Sequence, residues 1–107
     1  MLGGMAQMIV VYKTPNDVDA FDLHYFGVHV PLAKKLPGLR KYETSVGPIM
    51  TVGSAANTYF VAVLHFDSVA AMRSAFASPE GQACAADRRK LASDEAFQTF
   101  LFDSKEL

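Results

Sequence analysis

The chain has 107 residues, enough for one domain with one core, and half of them are hydrophobic. Ten lysines and arginines against 11 acids leave a net charge of −1, which excludes the basic footprint of a general nucleic-acid binder. The one cysteine, Cys84, cannot close an internal disulfide and points to a reducing, cytoplasmic setting. No apolar run approaches the roughly 20 residues that cross a bilayer.

Residues 1–7, MLGGMAQ, lack the basic n-region and apolar h-region of a signal peptide. They read as a disordered leader or a remnant outside the fold, with Met5 or Met8 as alternative starts, so the single domain is expected over residues 8–107. QMIVVYK, residues 7–13, is a short apolar run ended by Thr14-Pro15-Asn16, hence a strand. Asn16 or Asp17 then caps a helix, with Asp19 near the positive end of its dipole. Val18, Phe21, Tyr25, Val28 and Leu32 recur at steps of three and four and predict one buried stripe, which Pro37-Gly38 ends.

Residues 39–46 predict a second strand. The segment GPIMTVGSAAN after it is longer than a tight hairpin needs and is a candidate flap. TYFVAVLHF, residues 58–66, is dense in β-branched and aromatic residues and is the clearest strand. Asp67 or Ser68 caps a helix whose Val69, Met72 and Phe76 share a face, and Ser78-Pro79 starts another. The DRRK cluster, residues 87–90, is expected on its solvated side. AFQTFLFD, residues 96–103, predicts the last strand. The order is βαββαβ with a divided second helical region. It predicts an α+β, ferredoxin-like domain whose four-stranded antiparallel sheet carries helices on one face.

Such a sheet ordinarily alternates apolar and polar residues, because its other face meets water. Here both faces are oily. Tyr59, Val61 and Val63 oppose Phe60, Ala62, Leu64 and Phe66, while Met8, Val10 and Tyr12 oppose Ile9 and Val11. An uncovered apolar face of that size exceeds what soluble monomers tolerate, and a second copy of the same sheet is the expected cover. The chain is therefore expected to be a homodimer joined through its sheets, with His65 at the seam.

Within the first helix, Pro31 has no N–H and crowds the carbonyl of Gly27, so the Gly27/Pro31 pair predicts a kink or local break. His29 lies in that turn at one margin of the buried stripe, and His24 lies at the opposite margin. The kink would aim the His29 imidazole between helix and sheet, within reach of Tyr12, Tyr25 and Phe60. Two roles follow for it: a general acid or base in a dry cavity, or a histidine that hydrogen-bonds the carbonyl freed by Pro31 and only stabilises the bend.

FDLHYFGVHVPLAKKLPGLRKYE, preceded by VVYKTP and followed by VAVLHFDSVAAMRSAFASPEG, resembles the EthD family. The most specific part is F-x-x-x-Y-x-x-x-H-x-P-L with L-P-G-L after it, here Phe21, Tyr25, His29, Pro31, Leu32 and the run Leu36-Pro37-Gly38-Leu39. The resemblance implies the dimeric α+β barrel superfamily, which includes cofactor-independent monooxygenases, lactone isomerases and polyketide cyclases. It also implies a pocket between helices and sheet, with His29, Tyr25 and Tyr12 catalytic and Met8, Val10, Phe26, Phe60, Ala62 and Leu64 contacting substrate. Where some cyclase relatives carry a histidine near the start of the third helix, this chain reads SPEGQ.

The function expected is therefore that of a small-molecule enzyme acting on an apolar or aromatic carbonyl compound, by isomerisation, dehydration or oxygenation. His29 would move the proton, and Tyr12 or Tyr25 would hold an oxygen. No bound cofactor is expected, since there is no Gly-rich dinucleotide fingerprint and no flavin or haem signature. The alternative is a non-catalytic, dimeric small-ligand-binding or accessory protein of a catabolic pathway. RNA binding through TYFVAVLHF is disfavoured because the K/R-G that opens such a strand is missing. A metal site is not expected either, because His24 and His29 are five residues apart rather than four. The expected partners are thus a second copy and a small apolar molecule, with neither nucleic acid nor a membrane.

Overall fold

The computed structural model describes residues 5–53 and 57–107. Strand β1 (Met5–Lys13) is followed by helix α1 (Val18–His24), a π turn (Tyr25–His29) and helix α2 (Val30–Ala33). Strands β2 (Lys41–Thr44) and β3 (Thr58–Phe66), helices α3 (Val69–Ala77) and α4 (Pro79–Leu91), and strand β4 (Phe97–Ser104) complete the chain. The strands form one antiparallel sheet in the order β2-β3-β1-β4, with the helices on one face, as the βαββαβ pattern predicts. No helix among the described residues is long and apolar enough to cross a membrane.

The caps explain the helix starts. Asp17 accepts a hydrogen bond from Ala20 N at 3.0 Å, Ser68 from Ala71 N at 3.0 Å, and Ser78 from Gly81 N at 3.1 Å. Alternation places Val10, Tyr12, Phe60, Ala62, Leu64 and Phe66 under the helices, all buried, where they meet Phe21, Tyr25 and Leu36 from the first helical segment. The opposite face has an apolar centre of Ile9, Val11, Val61 and Val63 with Phe100 and Phe102 beside it. Gln7, Gln98, Lys41, Glu43 and His65 also lie on it, and the two phenylalanines remain 44% and 39% exposed.

Three expectations change. The leader does not extend to residue 7, because Met5–Gln7 belong to β1. Ala6 is fully buried there between Phe66 and Asp103, whose strands satisfy its backbone. Residues 1–4 lie outside the described residues. The regular stripe also breaks: after Phe21 and Tyr25 the buried positions are His29, Ala33 and Leu36, while Val28 is exposed and Leu32 half-buried. Each comes one residue late because the π turn inserts one residue, with Val30 N–H reaching back to Tyr25 O. Finally, DRRK is not all solvated; Asp87 is 5% exposed. The candidate flap falls partly on residues 54–56, outside the described residues. Its described part carries Met50 and Val52, both strongly exposed, and Val46 just before it is equally so.

At the α3–α4 junction, a Cβ on Gly81 would stand 2.3 Å from the Ala75 carbonyl oxygen and 2.4 Å from Phe76 Cα, both backbone. Alanine normally gains helix stability over glycine, yet here the two helices have no room to part. Gly81→Ala should therefore destabilise the protein by about 1–3 kcal/mol in urea unfolding. A neutral or stabilising result would contradict this packing.

Candidate active site

The π turn decides the geometry. In a regular helix, residues five apart point in different directions, whereas one inserted residue gives an i, i+5 pair the adjacency of i, i+4. His24 and His29 thereby reach the same side chain on α4. His24 Nε2 lies 2.9 Å from Asp87 Oδ1, and His29 Nδ1 lies 3.0 Å from Asp87 Oδ2. The expectation that the two imidazoles occupy opposite margins is corrected by that single insertion. Gly27 sits in the turn with open space where a Cβ would be, so it supplies backbone ease rather than room.

An ionised carboxylate only accepts, so both nitrogens facing Asp87 carry hydrogens. His29 is thus held as the Nδ1–H tautomer. Its Nε2 points toward Cys84 Sγ at 3.9 Å and can accept from that thiol. Burial lowers the pKa of His29, and the hydrogen bond and charge of Asp87 only partly offset it, so the imidazole is neutral at pH 7. Burial works to raise the pKa of Asp87, but the bonds from His24 and His29 outweigh it and the group stays ionised below the usual carboxylate range. Burial pushes the Cys84 thiol up to about 11, with the Asp87 charge adding to it, so it is a weak donor and no thiolate.

Rings pack around this polar group. Tyr25 lies 5.2 Å from the His29 ring and 4.6 Å from Phe60, centroid to centroid, and Tyr12 meets Phe21, Tyr25 and Phe60 at 5.3, 6.0 and 6.1 Å. The Tyr25 hydroxyl is 2.5 Å from that of Tyr42 on β2. Burial raises the pKa of Tyr25, with Tyr42 adding to it, and burial pushes Tyr42 up to about 12, so both phenols keep their protons and can donate. Tyr12 is likewise raised by burial. Beyond Asp87, the Arg88 guanidinium lies 3.7 Å over the Phe97 ring.

A cavity of about 690 Å³ opens beside this centre. Phe26 and Phe60 form part of its wall, Asp22 and Tyr59 hydrogen-bond at 2.8 Å along its lining, and Val46 and Ile49 bound it from the segment after β2. Phe26 and Phe60 thus line it as expected of substrate contacts. Val10, Ala62 and Leu64 are buried in the core and Met8 is half-buried; neither they nor His29, Tyr25 and Tyr12 line this cavity. Phe60 belongs to both regions, touching the cavity on one side and Tyr25 on the other. Asp87 and Tyr42 were missed by sequence reasoning. The signals existed: Asp87 falls three residues after buried Cys84 and four before Leu91, and Tyr42 alternates with Lys41 and Glu43.

A ferredoxin-like domain with a buried carboxylate–imidazole pair beside a small-molecule-sized cavity is the class of protein these features define. The EthD domain pattern matches residues 13–95, and the chain belongs to that family. An uncharacterized 11.0 kDa protein of Rhodococcus erythropolis, from the thcB-thcC intergenic region, is 38% identical over 102 residues, covering 95% of this chain and 96% of that one. An ethyl tert-butyl ether d (ethd) family protein from Bacillus halodurans superposes with a TM-score of 0.78 at 31% identity, covering 96% and 99%. The cofactor-independent oxygenase SnoaB from Streptomyces nogalater gives a TM-score of 0.63 at 15% identity, over 99% and 97%, a likeness of fold alone.

Because His29 is held neutral, the unfolded chain takes up a proton near the ordinary value of 6.5 while the folded chain resists it. Its share of stability is present above that pH and is lost as pH falls. Asp87, whose pKa is depressed, contributes above the ordinary 3.8 and also loses its share on acidification. The melting temperature should therefore fall between about pH 7 and pH 5 and again at lower pH. Asp87→Ala should cost about 2–3 kcal/mol by removing charged hydrogen bonds. A flat melting profile from pH 7 to 5 would contradict the burial of a neutral His29.

Proposed function

We propose that the protein is a homodimeric small-molecule enzyme whose His29 acts as a general base on an enolisable apolar or aromatic carbonyl compound. The supporting observation is the 3.0 Å contact between His29 Nδ1 and Asp87 Oδ2. It directs the lone pair of Nε2 inward and leaves Asp87 ready to stabilise the imidazolium that proton abstraction creates. Tyr25, backed by Tyr42, donates to the oxygen on which negative charge develops, and Tyr12 holds the Tyr25 ring from the sheet side. Substrate enters by the cavity against Phe26 and Phe60. Phe26 is 51% exposed and packs on Tyr25, so it is the ring that swings aside to let a carbonyl carbon approach His29. Isomerisation, dehydration and oxygenation all begin with such an abstraction, and side chains alone supply it.

The test is deuterium wash-in from D2O at the α-carbon of enolisable aryl ketones and lactones, followed by NMR. His29→Ala should lower exchange roughly 10²–10⁴-fold while the ligand still binds. Undiminished exchange in that variant would overturn the assignment. A second reading rests on the close packing of His29, whose side chain is only 8% exposed: a non-catalytic ligand-binding protein, marked by binding without exchange in the wild type.

The dimer is proposed on the outer sheet face. Phe100 and Phe102 leave an apolar surface continuous with Ile9, Val11, Val61 and Val63, and a second copy buries it symmetrically. Light scattering should give twice the chain mass, and Phe100→Asp should reduce it to one. A wild-type protein running as a single chain would refute the interface. The buried, unpaired Cys84 suits the cytoplasm proposed as its location.

A further inference from the structure

Asp87 presents one unit of negative charge, yet two imidazoles hold it, one on each oxygen. They are not equivalent. The His24 side chain is 31% exposed and that of His29 is 8% exposed, so only His24 keeps much of its hydration when charged. A second proton on the cluster would place two cations on one carboxylate in a mostly dry setting. The other groups facing His29 do not relieve that repulsion. Cys84 and Arg88 approach from α4, the latter as a cation, and Tyr25 from its own turn with its phenol protonated; Tyr12 and Tyr42 meet Tyr25 from the sheet.

We propose that His24 and His29 compete for the one added proton whose charge Asp87 can balance, that the solvent-side His24 takes it, and that this keeps His29 neutral as the pH falls. His24 is therefore a positioning residue for the base: its charge occupies the carboxylate that would otherwise favour an imidazolium at His29. The π turn is what makes the competition available, since without the inserted residue the two rings could not share a partner. The coupling belongs to the cluster itself. Its consequence for turnover, a base form that persists into mildly acidic conditions, rests on the function proposed above.

Imidazole Cε1–H titrations by NMR test the coupling without any substrate. In His24→Gln, whose amide can still donate to Asp87 but cannot titrate, the His29 midpoint should rise by about one pH unit. His29 stays uncharged while the first proton binds, so His24→Gln is the informative variant. A His29 midpoint that stays put in that variant, with an otherwise wild-type amide spectrum, would overturn the proposal. If His24→Gln fails to fold, His24→Asn supplies the same measurement. Loss of deuterium exchange in His29→Gln with an unmoved His29 midpoint in His24→Gln would uphold the base and refute the coupling. A shifted His29 midpoint with exchange unchanged in His29→Gln would uphold the coupling and refute the base.

Discussion

The Asp87 carboxylate, buried between α4 and the first helical segment and held by two imidazole N–H groups, is the interaction on which the centre depends. A carboxylate in that position is costly unless both oxygens are satisfied. The two histidines satisfy them, and in doing so fix the tautomer of His29, the aim of its free nitrogen and the docking of α4 against the π turn. The polar cluster sits in an otherwise apolar layer, so its members have few other partners to choose from. Cys84 on the inner side and His24 toward solvent complete a line of polar atoms running from surface to core.

The sheet performs a different task on each face. Its inner face supplies Tyr12, Phe60 and Tyr42, which hold Tyr25 against His29, and Phe60 also walls one side of the cavity. Its outer face carries an apolar centre of Ile9, Val11, Val61 and Val63, away from the rings around His29. Separation of the two faces by strand alternation lets residues of the outer face and of the inner centre be altered independently, a consequence of the period of two in β-structure.

Membership of the EthD family and a ferredoxin-like fold set the backbone but do not choose a reaction. The same fold carries a cofactor-independent oxygenase at 15% identity, and a shared backbone says little about which proton moves. What particularises this chain is the side-chain set on its helices: an imidazole from a π turn, a second imidazole five residues before it, and a carboxylate 58 residues further along. The phenol pair Tyr25–Tyr42 adds a donor at the sheet.

The strands, their inward and outward residues, the cap Ser78 and, to within one residue, the caps Asp17 and Ser68 were legible in the sequence, because each is set by neighbours within a few positions. His29 and the Gly27/Pro31 irregularity were legible too, since a proline inside an apolar stripe cannot hide. The sequence did not disclose that the irregularity is an inserted residue rather than a bend, and that difference moved His29 from the margin into the buried stripe. Nor did it disclose Asp87, which sits in a charged run that reads as solvated. Whether a carboxylate is bathed in water or gripped by two rings depends on what packs across from it, and that is decided only when α4 docks. Local periodicity therefore determined the elements and their faces. Tertiary contact alone selected the partner of His29, because the two groups are distant in the chain and meet only in the folded layer.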